Sequence, residues 1–162
     1  VSYENRIIVT MHRRENHHNM KEWFEEIDIL AQENSNLEFI LPIHPNPNVK
    51  KHEHLLKHVK VVPPMNYDEF IDELASCRFI ITDSGGIQEE SSFLRKKCVV
   101  CRKTTERVEG MGTFSTLVMR PEDLQDAFKW ANEDYVPDEN EPCPYGDGKT
   151  AEKILDILKN EI

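Results

Sequence analysis

The chain has 162 residues, 38% of them hydrophobic, which is enough apolar material for one compact core but hardly for two. Thirty acidic against twenty basic residues leave a formal net charge of -10, which disfavours nucleic acid and anionic membranes as partners. Apolar runs span only a few residues, and the start lacks the basic-then-apolar pattern of a secretion signal. We therefore expect a soluble, cytoplasmic protein without a membrane-spanning segment.

Short segments rich in isoleucine and valine alternate with segments of helical periodicity. The predicted strands are residues 6–11, 37–43, 59–62, 78–82 and 98–101. The predicted helices are residues 20–34, 49–58, 67–76, 87–94, 121–133 and 149–161. Because strand and helix alternate and the strands are continuously hydrophobic, the sequence predicts an α/β fold, with a parallel sheet covered by helices on both faces.

The basic segment 10–16, Thr-Met-His-Arg-Arg-Glu-Asn, follows the first predicted strand. Ligands of open parallel sheets bind beyond the carboxyl ends of the strands, so these side chains are candidates for a site. Arg13 and Arg14 could match phosphate oxygens, and His12 could donate a proton to a departing phosphate or neutralise it. A surface turn whose arginines pair with Glu15 is an equally good interpretation.

Other histidines fall in two different settings. His44 lies in the proline-rich segment 43–47 after the second strand, where fixed backbone would hold its ring in a defined direction. Such exits from strands are also common in connections without function. His52, His54 and His58 lie on a charged predicted helix with no partner to complete a metal site, and we interpret them as a solvated surface.

The segment 82–90, Thr-Asp-Ser-Gly-Gly-Ile-Gln-Glu-Glu, is the strongest candidate for a binding site. Its two glycines permit a tight turn, and the exposed amides at the start of the following helix could hold a phosphate. Asp83 or Ser84 could cap that helix or donate a hydroxyl. Glu90, one turn later, could accept hydrogen bonds from both hydroxyls of a ribose. An ordinary turn and a solvated carboxylate are the alternatives.

Two further side chains could complete a nucleotide site. Arg107, in the cationic segment 102–107, could close over a phosphate or sugar, or it could pair with Glu106 or Glu109. Phe70 could stack on a flat base or pack beneath the sheet.

The four cysteines are expected to be free thiols: Cys77, Cys98, Cys101 and Cys143. Cys98 and Cys101 form a C-x-x-C pair, but two valines separate them and no second pair exists to complete a zinc site. We therefore interpret the pair as part of a buried strand without metal or redox chemistry.

Four ordered motifs resemble the carboxyl-terminal half of UDP-N-acetylglucosamine 2-epimerases: residues 10–16 (TMHRREN), 42–47 (PIHPNP), 82–90 (TDSGGIQEE) and 104–107 (TTER). The ending 144–149 (PYGDGK) is similar too, so the resemblance runs over nearly the whole chain. It implies a glycosyltransferase-B-like architecture of two facing Rossmann-like domains. Residues 1–162 would form the second, nucleotide-binding domain, and the amino-terminal half would be absent.

The resemblance also assigns roles to individual residues. It implies that Ser84, Gly85 and Gly86 bind the diphosphate, Glu90 the ribose, Phe70 the uracil region and Arg107 the nucleotide or sugar side. His12 matches a catalytic histidine near the diphosphate. Arg13 and His44 match positions that contact a second, activating UDP-N-acetylglucosamine in bacterial non-hydrolysing members. No cofactor or metal is implied.

The family reaction removes the proton at sugar carbon 2 while UDP departs, giving a glycal to which UDP returns, or water intervenes in hydrolysing members. The acid/base carboxylates belong to the amino-terminal half, so the isolated chain is expected to bind UDP or UDP-N-acetylglucosamine weakly and without turnover. The full-length form could be a homodimer. A non-catalytic nucleotide-sugar-binding module and the donor domain of a glycosyltransferase remain alternatives.

Overall fold

The computed structural model describes residues 4–102 and 114–133. Its strands are Arg6–Thr10 (β1), Glu38–Pro42 (β2), Lys60–Val62 (β3), Phe79–Thr82 (β4), Cys98–Val100 (β5) and Ser115–Leu117 (β6). Its α-helices are Met20–Glu33 (α1), Pro47–Lys50 (α2), Tyr67–Ser76 (α3), Ile87–Phe93 (α4) and Leu124–Glu133 (α5). 3-10 helices cover Arg14–Asn19, Glu53–Leu55 and Pro121–Asp123.

The six strands form one parallel sheet in the order β3-β2-β1-β4-β5-β6. The chain therefore reverses direction across the sheet between β1 and β4, which is the place where ligands of open α/β sheets bind. Thr10 pairs with Thr82 at the carboxyl ends of these strands, and their hydroxyl oxygens lie 2.6 Å apart. The segments that follow β1 and β4 are consequently neighbours.

Side chains from both faces of the sheet are buried, which explains why the strands read as continuous hydrophobic runs. Ile7 and Val9 belong to a cluster that includes residues of α1, α2 and α5. Ile8 points to the other face and packs with residues of α3 and Ile87 of α4. The predicted α/β fold, with a parallel sheet and helices on both faces, is confirmed.

Helix α3 has the predicted bounds because its start is encoded locally. The Asn66 side chain accepts a hydrogen bond from the Glu69 amide at 2.8 Å and donates one to the Glu69 carboxylate at 3.0 Å. The first of these bonds satisfies one of the free backbone amides of the first turn. Helix α3 therefore begins firmly at Tyr67.

The predicted helix over residues 49–58 is wrong. A hydrogen bond from the Asn48 amide to the Asn46 side chain, at 2.9 Å, starts α2 earlier, and Pro47 occupies its first turn. The backbone leaves the helical region at Leu56, and the His58 amide instead donates to the Asp28 carboxylate at 2.7 Å. A long-range contact thus replaces the last predicted turn.

Strand β6 is missing from the sequence prediction. It is only three residues long and opens with a serine and a threonine, so it lacks the apolar run that marks the other strands. Its pairing with β5, with Ser115 opposite Cys98, gives it strand structure.

Some sequence predictions lie outside the described residues: the helix over 149–161, the segment 104–107 with Arg107, the ending 144–149, and Cys143. Within the described ranges, no helix is long and apolar enough to cross a membrane.

Candidate functional site

A cleft of about 300 Å³ opens at the carboxyl ends of the strands. Three predicted site residues, His12, His44 and Phe70, line it together with Tyr67. Phe70 is also half-buried and packs against the core cluster beneath α3, while contact of its ring with a base stays a prediction. Much of the rest of the wall is apolar, formed by Pro42, Ile43, Pro64, Met65 and Ile87. A mostly apolar cleft with a few polar groups suits a small organic ligand.

The rings of His12 and His44 stack in this cleft, with centroids 5.0 Å apart and planes inclined by 18°. The Asn46 amide donates a hydrogen bond to His44 Nδ1 at 3.1 Å, so this nitrogen is an acceptor and the neutral ring carries its proton on Nε2. Burial and the neighbouring His12 both lower the pKa of His44. The sequence placed these histidines in separate segments, and the sheet brings them together.

The buried carboxylate of Asp83 joins the segment after β1 to the segment after β4. Its Oδ2 accepts hydrogen bonds from the His12 amide at 2.9 Å, the Arg13 amide at 2.7 Å and the Asn16 side chain at 3.2 Å. Burial raises the pKa of Asp83, and these hydrogen bonds oppose the rise. Asp83 therefore holds His12 and Arg13 at a fixed distance from the turn that follows it.

Neither Asp83 nor Ser84 caps α4, contrary to one sequence-based expectation. Gly86 occupies the capping position, and no side chain bonds to the first turn there. The Ser84 amide donates to Thr82 Oγ1 at 3.0 Å, whereas the amides of Gly85 and Gly86 meet no acceptor in the described part of the chain. Gly86 is exposed, so its amide is accessible to an anion at the positive end of the helix, whereas Gly85 is buried.

Gly86 is not required by its own backbone conformation. Its φ and ψ of -62° and -32° are ordinary helical values. A Cβ built on it would meet Ser84 Oγ as its nearest neighbour, at 4.0 Å, which is normal van der Waals contact. The absent side chain leaves space beside the turn that no described part of the protein fills.

Glu90 of α4 is held by a tyrosine that sequence reasoning missed. The Tyr67 hydroxyl donates to Glu90 Oε1 at 2.8 Å. Burial raises the pKa of Glu90, the Tyr67 hydrogen bond opposes this rise, and the nearby Glu89 adds to it. The one available signal for Tyr67 was its place three residues before Phe70 on the same helix.

The arginines after β1 do not pair with Glu15. That carboxylate accepts from Arg102 Nε at 2.7 Å, which ties the end of β5 to the 3-10 helix after β1. Arg13 and Arg14 are exposed, and neither side chain has an ion pair within residues 4–102 and 114–133. Their charges are thus available to a ligand at this edge of the sheet.

The C-x-x-C pair is part of a buried strand end, as predicted. Cys98 packs in the cluster under α3, whereas Cys101 packs in the cluster on the opposite face. The two thiols therefore cannot act as one pair. Among the described residues, no group of three or more histidine, cysteine or acidic side chains is arranged to hold a metal ion.

His54 and His58 do not line the cleft. His58 Nδ1 lies 3.0 Å from Asp28 Oδ2, and His54 Nδ1 lies 3.1 Å from the Lys51 carbonyl oxygen. His54 and His58 are exposed, which agrees with a solvated surface.

Comparison with known proteins identifies the family. Residues 1–159 match the sequence profile described as UDP-N-acetylglucosamine 2-epimerase. A protein of that name from Campylobacter jejuni is 37% identical over 169 residues, covering 94% of this chain and 42% of the relative. The solved structure of UDP-GlcNAc 2-epimerase from Neisseria meningitidis bound to UDP-GlcNAc is 31% identical, with a TM-score of 0.79 over 98% of this chain and 45% of that one.

A heptosyltransferase from Escherichia coli, solved with ADP, is only 17% identical but matches 80% of the chain with a TM-score of 0.58, which shows a shared fold alone. The predicted Rossmann-like domain of glycosyltransferase-B type is confirmed by these similarities. The chain spans less than half the length of the curated relative it matches, at 42%. By profile, sequence and structure, the chain belongs to the UDP-N-acetylglucosamine 2-epimerase family.

Proposed function

We propose that this chain is the nucleotide-binding part of a UDP-N-acetylglucosamine 2-epimerase and that it binds the UDP portion of the sugar nucleotide. The observation that carries the proposal is the open turn at Ser84–Gly86, fixed through Asp83 to the segment bearing His12 and Arg13. The turn follows the carboxyl end of β4, and that segment follows the carboxyl end of β1. The order in which the chain adds strands reverses between these two strands.

The diphosphate would bind to the free amides of Gly85 and Gly86, next to Ser84, at the start of α4. The chain carries a formal net charge of -10, so an anion must be attracted by local groups rather than by the overall field. Backbone amides at a helix start supply this attraction without a lysine. The exposed side chain of Arg13 adds positive charge on the facing segment.

The nucleoside would extend from the turn toward the cleft. Glu90 is half-buried with one carboxylate oxygen bonded to Tyr67, and it can accept hydrogen bonds from ribose hydroxyls. The Phe70 ring on the cleft wall would contact the uracil region. Arg107 stays a candidate for the nucleotide or sugar side, outside the described residues.

His12 would act on the departing diphosphate. In the reaction the C2–H bond breaks, its electrons form the C1–C2 double bond of a glycal, and the C1–O bond to UDP breaks with its electrons going to the phosphate. An imidazole beside that phosphate stabilises the charge or supplies a proton. Asp83 would keep His12 in place through the His12 amide, to which its carboxylate is bonded at 2.9 Å.

Arg13 and His44 would contact a second, activating UDP-N-acetylglucosamine. The stacking of His44 on His12 supports this placement, because it puts the two proposed binding positions in direct contact at 5.0 Å between ring centroids. Occupancy of the second position could then affect the His12 ring directly.

Removal of the C2 proton needs a base, which we propose comes from a further domain. The matched relative is more than twice as long as the aligned region, which covers 42% of it. The isolated chain would therefore bind UDP weakly and not turn over, since half an enclosed site leaves the sugar in water. We further propose that the assembled enzyme acts in the cytoplasm and forms a homodimer.

The test combines the chain with an amino-terminal half of a family member and follows UDP-N-acetylmannosamine, free N-acetylmannosamine and UDP. Formation of UDP-N-acetylmannosamine supports a non-hydrolysing epimerase, and free N-acetylmannosamine supports a hydrolysing one. A reaction that needs an acceptor sugar would replace the proposal by a glycosyltransferase. A properly assembled pair that binds UDP but yields no product would favour a non-catalytic nucleotide-sugar-binding module.

A further inference from the structure

We infer that Tyr67 is a positioning residue that orients the Glu90 carboxylate and thereby sets the preference for ribose over 2′-deoxyribose nucleotides. The inference rests on the proposed function, in which Glu90 contacts the ribose. It adds a second residue, on a different helix, to the recognition of the sugar.

The position of Tyr67 is fixed by its own helix. It is the first residue of α3, directly after Asn66, whose side chain accepts from the Glu69 amide at 2.8 Å. Its ring is half-buried and packs against the core cluster on this face of the sheet. Because the backbone and the ring of Tyr67 are both held in place, the position of its hydroxyl is restricted.

The Tyr67 hydroxyl bonds to one carboxylate oxygen of Glu90 and not to the other. Tyr67 Oη lies 2.8 Å from Glu90 Oε1, and Glu90 Oε2 has no partner among the residues that the structure describes. Burial, together with the Glu90 hydrogen bond, raises the pKa of Tyr67, so the hydroxyl keeps its proton and remains a donor. The carboxylate is thus fixed in plane and orientation while retaining acceptor capacity for a diol.

The same side chain also lines the cleft. Tyr67 and Phe70 are three residues apart on α3, and both contribute to the wall of the cleft. Side chains at this spacing lie on the same face of a helix. The proposed base contact and the group that orients the ribose acceptor are therefore carried by one rigid element.

The experiment measures binding of UDP and of 2′-deoxyuridine diphosphate to the chain by amide-resolved NMR titration, which also reports folding. The variants are Tyr67→Phe, Glu90→Ala and the double variant. Ser76→Ala serves as the matched control, because it removes a hydroxyl from the other end of α3 that, among the described residues, bonds only to the carbonyls of Asp72 and Glu73.

We expect the wild type and Ser76→Ala to prefer UDP by about tenfold or more, the effect of losing a hydrogen bond to a charged group. Tyr67→Phe should lower the affinity for UDP more than that for the deoxynucleotide, which keeps only the 3′-hydroxyl, so that the preference falls to about threefold or less. In the Glu90→Ala background, Tyr67→Phe should change neither affinity, because the tyrosine acts through the carboxylate.

Different failures are distinguishable. If Tyr67→Phe keeps the full preference, or weakens both ligands equally while remaining folded, Tyr67 does not position Glu90 and the inference is overturned. If the wild type binds UDP and the deoxynucleotide equally, Glu90 does not contact the ribose 2′-hydroxyl, and the inference falls together with that part of the proposed function. A wild type that binds neither nucleotide would overturn the proposed binding itself.

Discussion

Substitution of Gly86 tests whether a glycine at this position is required for folding or for ligand binding. The backbone of Gly86 has φ -62° and ψ -32°, and a Cβ there would meet nothing closer than Ser84 Oγ at 4.0 Å. Replacing glycine by alanine in such a conformation stabilises a protein by about 0.4–1 kcal/mol through the unfolded chain. Alanine is a poorer residue than glycine at a helix capping position, which offsets part of this gain.

The free energy of unfolding of Gly86→Ala should therefore stay within about 1 kcal/mol of the wild type, which corresponds to a melting temperature shift of roughly 2–4 °C or less. The added methyl group would nevertheless occupy the space through which a diphosphate approaches the amides. We expect UDP affinity to fall at least about tenfold, equivalent to about 1.4 kcal/mol, and further in Gly86→Val.

The assay is urea unfolding together with calorimetric titration of UDP into wild type, Gly86→Ala and Gly86→Val. His54→Ala is the control, because His54 is exposed and does not line the cleft, and it should change neither quantity. If Gly86→Val binds UDP like the wild type, or if His54→Ala weakens binding equally, the diphosphate does not bind beside Gly86.

Three further predictions concern buried charges. Asp83→Ala should lower the free energy of unfolding by about 2–4 kcal/mol in urea, because three donors lose their acceptor, and a smaller loss would contradict its joining role. Because burial raises the pKa of Glu90, the wild type should gain stability relative to Glu90→Gln as pH falls from neutral toward the ordinary pKa of 4.5. If the difference between their free energies of unfolding in urea does not change with pH, this prediction is wrong. Burial lowers the pKa of Lys96 to about 8 from 10.5, so stability relative to Lys96→Met should rise with pH between these values, and a fall would contradict its burial.

Local signals in the sequence were sufficient to predict helix α3 and the buried strands. The bounds of α3 follow from the Asn66 cap, and the buried strands follow from apolar runs that both faces of the sheet require. The helix predicted over 49–58 failed because a distant carboxylate, Asp28, binds the His58 amide. No local pattern contains that information.

In the candidate site, too, local signals identify single motifs but not the contacts between them. The motifs after β1 and β4 could be recognised one by one, but the contact of Asp83 with His12 spans 71 residues and needs the pairing of the two strands. The hydrogen bond from Tyr67 to Glu90 likewise joins two helices. Residues act together here because the sheet order places them together, which a single sequence does not state.

The most direct test of UDP binding at the Ser84–Gly86 turn is an amide-resolved NMR titration of the chain with UDP. We expect the largest shifts at the amides of Gly85, Gly86 and Ile87, with smaller shifts at His12 and Arg13. Unchanged resonances for these amides at ligand saturation, with shifts confined to other parts of the chain, would contradict UDP binding at this turn.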